Sequence, residues 1–177
     1  MKIMAISGNH PRHLYYFNTI QKSFPLAGAL IINRENIMPE ITPALSTTDK
    51  ANMTRHFRNR YLSEKKYFSK QHLPNCLTLQ ISPQELNSKN SVHFLEKINP
   101  DIVLIFGTSL IKDPLYSQLP KNTINLHLGL SPRYRGSATL FWPFYFLEPG
   151  FAGATFHFIV GEPDAGDIVH QVVPILK

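Results

Sequence analysis

A chain of 177 residues, 43% of them hydrophobic, suits one domain whose core hides well over half of the unfolded surface, and it leaves no length for a second core. One cysteine, Cys76, excludes an intrachain disulfide and accords with a reducing cytoplasm; no apolar run long enough for a membrane helix or a signal peptide is present, so the expected location is cytoplasmic. The net charge of +6 is local, because Lys50, Arg55, Arg58, Arg60, Lys65, Lys66 and Lys70 crowd one segment opposed by Asp49 and Glu64, which argues for a solvated helix face before a nucleic-acid surface.

Residues 1–7 read as a buried strand running into the turn Gly8-Asn9-His10-Pro11, and residues 13–24 as a helix. Residues 26–33 form a second apolar strand. Pro39 and Pro43 mark a loop, after which Thr47, Thr48 or Asp49 caps the basic helix. Within that helix Met53, Phe57, Tyr61 and Phe68 recur at near-helical spacing, which puts the cations on the remaining side. A short strand over 77–81, a turn-rich stretch over 82–90 and a helix over 91–98 ended by Asn99-Pro100 lead to an almost continuous apolar strand over 101–106, the kind buried inside a parallel sheet. Then come a weakly patterned helix over 110–119, a strand over 123–128, an aromatic helix over 139–147 carrying Trp142, and two last strands over 153–160 and 168–173. Such alternation predicts a three-layer α/β domain with a mostly parallel sheet.

The strand over 123–128 carries the chemistry. Its period of two places Thr123, Asn125 and His127 on one face and Ile124, Leu126 and Leu128 on the other. Gly129 ends the run, so His127 falls at the C-terminal end of a strand, where open α/β sheets bind ligands. The strand over 153–160 repeats the device with Thr155 and His157, directly before the acidic turn Gly161-Glu162-Pro163-Asp164-Ala165-Gly166-Asp167. Polar strand ends converging with a carboxylate suit acyl transfer, which needs donors aimed at an oxyanion and a route for a proton.

On these motifs the chain resembles the folate-dependent formyltransferase superfamily, most strongly over residues 99–171, and the resemblance implies the three-layer Rossmann-like formyltransferase fold. It also implies that Asn125, His127 and Asp164 are catalytic. Asn125 and His127 would donate to the oxyanion, while Asp164 would bias the imidazole and accept the amine's proton. The implied formyl donor is 10-formyltetrahydrofolate, held by Phe106, Gly107, Thr108, Leu110 and Ile111, with the loop from Asp164 to Asp167 closing the cleft. Thr155 and His157 resemble the family's Thr-x-His, and Pro132-Arg133-Tyr134-Arg135-Gly136 its Pro-x-Tyr/Trp-x-Gly turn. The chain departs where many members read His-x-Ser-Leu-Leu-Pro, having His127-Leu128-Gly129-Leu130-Ser131-Pro132. It departs again at the first turn, where Pro11 removes an amide from the loop that holds a phosphate in several members. Family members continue past the last strand with another helix, and the transfer-RNA enzymes with a second domain, so residues 1–177 are expected to be a single catalytic domain, either pared down or a fragment.

The expected function is transfer of a formyl group from 10-formyltetrahydrofolate to the amine of a small anionic acceptor such as an amino sugar, met by Asn9, Arg12, Arg133, Arg135, Thr155 and His157. Two alternatives stand beside it: a formyl-folate hydrolase with water as acceptor, and a non-catalytic module binding anions or nucleic acid through the basic helix. No metal is expected, since His10-Pro11-Arg12-His13 lacks further ligands.

Overall fold

In the computed structural model, which describes residues 1–33 and 42–175, the two longest apolar runs become the strands β1 (Ile3–Gly8) and β2 (Leu26–Ile32). Both are buried almost throughout, as the interior of a parallel sheet requires. The remaining strands are β3 (Leu77–Ile81), β4 (Ile102–Phe106), β5 (Thr123–His127), β6 (Ala154–Phe158) and β7 (Ile168–Val172). They form one seven-stranded sheet in the order β3-β2-β1-β4-β5-β6-β7. Pairing is parallel from β3 to β5 and antiparallel for β5 with β6 and β6 with β7.

Alternate residues of β1 serve opposite layers. Met4 and Ile6, with Leu30, Ile32, Val103 and Ile105, pack against Val92, Leu95 and Ile98 of α3 (Lys89–Ile98). On the other face Ile3, Ala5 and Ile31 meet Leu14 and Phe17 of α1 (Pro11–Gln21). Phe17 is fully buried, which contributes on the order of 2 kcal/mol. Pro11 opens α1 because its missing N–H would be unpaired in a first helical turn anyway, so the helix starts and ends earlier than the expected span over 13–24. Asn99, left-handed at φ 49°, stops α3 and returns its N–H to the Leu95 carbonyl at 2.8 Å.

The basic helix α2 (Thr47–Phe68) differs from expectation in two respects. Its N-cap is Ser46, whose hydroxyl accepts from Asp49 N–H at 3.1 Å. The expected apolar stripe is weakly used, since Tyr61 is exposed and the buried residue of α2 is Glu64. The cause is position: α2 lies against α1, with the Tyr15 and Phe68 rings 5.4 Å apart.

Two expected helices shrink. Over 110–119 the regular element is a 3-10 turn at Tyr116–Gln118. Pro114 and Pro120 disfavour a continuous helix there, and Asn87 holds the segment by donating to Leu110 O at 3.2 Å and accepting from Lys112 N at 2.8 Å. Over 139–147 a single turn forms, α4 (Trp142–Tyr145), with Pro143 in its first turn and Leu147 left-handed at φ 56° just beyond it. The aromatic side chains there stack on one another, Trp142 on Phe146 and Phe141 on Tyr145, and remain exposed. The expected loop at Pro39 lies outside the described residues. Among the described residues no helix is long and apolar enough to cross a membrane.

Candidate active site

β5 and β6 are neighbours in a register that sets Asn125 opposite His157 and His127 opposite Thr155, so the polar faces of the two strands are one surface. Asp164 reaches it from the β6–β7 turn. Its backbone sits at φ 51°, a left-handed conformation that Asp tolerates better than most residues. Two residues on, a Cβ at Gly166 would lie 1.7 Å from the Phe158 carbonyl. Only glycine lets the turn fold back this tightly, which gives the Asp-x-Gly spacing a steric cause.

Asp164 is the hub. Its Oδ2 lies 3.3 Å from His127 Nδ1 and accepts from Gly136 N–H at 2.9 Å. Its Oδ1 lies 3.3 Å from His157 Nε2 and accepts from Asn125 Nδ2 at 3.4 Å. Burial works to raise the carboxyl's pKa, but hydrogen bonds from His157 and Gly136 and the charge of both imidazoles prevail and lower it. Burial likewise opposes charging His157, and Asp164 with the Phe158 carbonyl outweighs it, so this imidazole is raised. The pair favours the state His157⁺ with Asp164⁻.

His127 is buried with both ring nitrogens engaged. Nε2 lies 2.8 Å from the Tyr134 carbonyl; a carbonyl can only accept, so Nε2 donates there and Nδ1 is the nitrogen that faces Asp164. Gly129 makes this possible, because a Cβ there would come within 2.6 Å of both His127 Nε2 and Tyr134 O. The turn's departure from the family pattern therefore has a local use: the glycine admits the carbonyl that holds the ring.

Asn125, His127, His157 and Asp164 line a cleft of about 1230 Å³. Typical small-molecule sites run to roughly 300–1,000 Å³, so there is room for two reactants. Phe106, Gly107, Thr108, Leu110 and Ile111 line it too, alongside Ile159, Leu140 and Phe141, and this mixture of backbone and apolar side chains fits a flat heterocycle. Gly107, at φ 70°, already faces a ring on its Cβ side, the buried imidazole of His13. The lining also carries cations. Arg12 pairs there with Glu64, Arg60 lies 3.6 Å from the same carboxylate, and His56 stands nearby on the cleft wall.

Several expected contacts lie away from the cleft, each for a visible reason. Thr155 is fully buried beneath the turn, donating to Gly129 O at 2.7 Å and accepting from Ser131 N–H at 3.1 Å and Gln171 Nε2 at 2.9 Å. Asn9 sits 3.5 Å from Asn33. Arg133 is taken by Glu148, and Arg135 is exposed outside the lining. Asp167 is exposed and its carbonyl accepts from Phe158 N–H at 3.0 Å. Arg60, Glu64 and His56 of α2 line the cleft although its charge pattern predicts a solvated face; Glu64 amid the cations was the available signal in the sequence. Among the described residues no cluster of three His, Cys, Asp or Glu is placed to hold a metal.

Residues 32–177 match the family described as formyl transferase. Methionyl-tRNA formyltransferase of Clostridium tetani is 36% identical over 93 residues, covering 50% of this chain and 29% of the relative. The enzyme of the same name from Chlorobium chlorochromatii is 31% identical over 99 residues, 54% of this chain and 31% of the relative. These matches thus span about three tenths of the curated relatives' length. The crystal structure of phosphoribosylglycinamide formyltransferase from Streptococcus pneumoniae superimposes with a TM-score of 0.65 at 20% identity, covering 100% of this chain and 84% of that one; the likeness establishes the shared Rossmann-like fold.

Proposed function

Since this chain belongs to the formyl transferase family, we propose that it is a cytoplasmic catalytic domain transferring a formyl group from 10-formyltetrahydrofolate to the amine of a small anionic acceptor such as an amino sugar. The observation that carries this reading is the convergence of Asn125, His127 and His157 on Asp164 within the cleft. The folate would supply the formyl group on a nitrogen able to leave. Phe106, Gly107, Thr108, Leu110 and Ile111 would hold it.

When an amine attacks a formyl carbon, a new C–N bond forms, negative charge gathers on the formyl oxygen, the attacking nitrogen gives up a proton, and the departing folate nitrogen takes one up as the old C–N bond breaks. The Asn125 amide is the neutral donor for that oxygen. Asp164, directly or through a water, takes the proton from the amine. His127 keeps the carboxylate aimed from one side and His157 balances its charge from the other. Arg12 and Arg60 give an acceptor's anionic group a cationic wall, which supports a phosphorylated or nucleotide-linked amine over a neutral one.

The test is incubation of the protein with 10-formyltetrahydrofolate and a panel of anionic and neutral amines, read by mass spectrometry. A formyl-amine product that vanishes with Asp164→Ala is expected. Formate release at the same rate without any amine would favour the hydrolase, and failure to turn over the folate at all would overturn the reading.

A further inference from the structure

We infer that Glu148, which lies outside the cleft, is a positioning residue for the His127 imidazole, acting through Tyr134. The inference rests on the reading of this face as a formyl-transfer site.

The Tyr134 carbonyl that holds His127 Nε2 belongs to an irregular turn with no strand or helix to fix it. The Tyr134 N–H bonds to Leu130 O and the Gly136 N–H to Asp164 Oδ2, each at 2.9 Å; between these two anchors the Tyr134 side chain sets the tilt of its own carbonyl. That side chain is buried, and its phenol donates to Glu148 Oε2 at 2.5 Å. Glu148 is itself gripped by Arg133, through Nε at 3.0 Å and through Nη2. The Arg133 guanidinium in turn lies 4.9 Å over the Phe151 ring, which flanks Tyr134 at 6.1 Å. Fourteen residues apart in sequence, the turn after β5 and the segment before β6 are thus stapled together, and the staple ends on the hydrogen bond that sets the tautomer of His127. Arg133 and Tyr134 hold the Glu148 carboxyl below its ordinary range, so the acceptor is ionised at neutral pH. Neither Tyr134 nor Glu148 lines the cleft; any effect on chemistry passes through the imidazole.

The experiment compares wild type with Glu148→Ala, Glu148→Gln, Tyr134→Phe and the Glu148→Ala/Tyr134→Phe double variant. Two readouts are taken: steady-state kinetics, and the ¹⁵N spectrum of the imidazoles at a pH above their titration, with His127→Gln to assign the signal. Wild type is expected to show His127 as the Nε2–H tautomer with a slowly exchanging proton, and Glu148→Ala and Tyr134→Phe to lose that protection. In both single variants kcat should fall roughly tenfold or more while KM stays within about twofold, since misaimed groups cost rate before binding. The double variant should be no worse than either single one, and Glu148→Gln, which keeps an acceptor for the phenol, should recover most of the rate. An unchanged His127 signal in a folded Glu148→Ala protein overturns the inference whatever the activity. So do additive losses in the double variant. If the signal changes as expected while wild type transfers no formyl group, the positioning stands and the reading of the reaction fails.

Discussion

Asn125 Nδ2 and His157 Nε2 stand 3.2 Å apart across the β5–β6 pair, both within reach of the same oxygen of Asp164. Because His157 Nδ1 lies 2.9 Å from the Phe158 carbonyl, that nitrogen holds the ring's first proton and Nε2 faces the amide. In the neutral ring Nε2 accepts from Asn125. In the charged ring it donates to Asp164, so the Asn125 N–H that had met the imidazole loses that acceptor while the amide keeps its contact with Asp164 at 3.4 Å. One amide proton is thus left for the formyl oxygen of the proposed reaction in the state that the raised His157 and lowered Asp164 favour.

Asn125→Ala should lower kcat by roughly a hundredfold or more, the scale for losing one oxyanion donor, with little change in thermal stability because the side chain is only half-buried. Asn125→Asp should fare no better, since a second carboxylate beside Asp164 forces one of the two to hold a proton. Steady-state rates and thermal unfolding of both variants check this. A near-normal kcat in Asn125→Ala would remove Asn125 from the mechanism.

The His157–Asp164 pair gives stability a defined pH window. His157 is raised on folding, so its contribution is full below the unfolded value of about 6.5 and fades as pH climbs through the raised one; Asp164 is lowered, so its contribution is full above about 3.9 and fades as pH falls through the lowered one. The melting-temperature advantage of wild type over Asp164→Asn should therefore be greatest between about pH 4 and 6.5 and shrink toward pH 9. An advantage that grows with pH across that range would contradict the assignment of charges.

On the cleft wall Glu64 is buried between Arg12 and Arg60. Arg12→Ala should destabilise by about 1–3 kcal/mol, because it strands part of a buried carboxylate, and should raise KM for anionic amines more than for neutral ones. Arg58→Ala, exposed and outside the cleft lining, should do neither. Denaturant melts and paired KM measurements decide it; equal effects of the two substitutions would leave the cationic wall without a role.

The alternating strand and helix order, the parallel centre and the shared face of Asn125 and His127 were legible in sequence because they depend on periods of two and on apolar runs, which are local. The meeting of His157 with Asn125 was not, since it depends on the β5–β6 register across 32 residues. α2 misled for a related reason. Its charge pattern reads as a solvated face, but a helix packed on another helix can turn Arg60 and Glu64 into a cleft without burying an apolar stripe. The segments around Pro114 and Pro143, expected as a weakly patterned and an aromatic helix, shrink to single turns because the backbone limits of proline prevail.

Gly166 offers the sharpest test of the Asp164 turn. An added Cβ would meet backbone, the Phe158 carbonyl at 1.7 Å, so no rotamer change can relieve it and either the end of β6 or the turn must move. Gly166→Ala should therefore destabilise by about 1–3 kcal/mol, cut turnover by displacing Asp164 from both imidazoles, and open residues 161–167 to proteolysis. Gly150→Ala, where a Cβ would meet nothing within 4 Å, should stay within about 0.5 kcal/mol of wild type. Chemical denaturation, limited proteolysis and rate measurements on the two variants make the comparison. If Gly166→Ala keeps both its stability and its turnover, the tight return of the turn onto β6 is not what holds Asp164 in place.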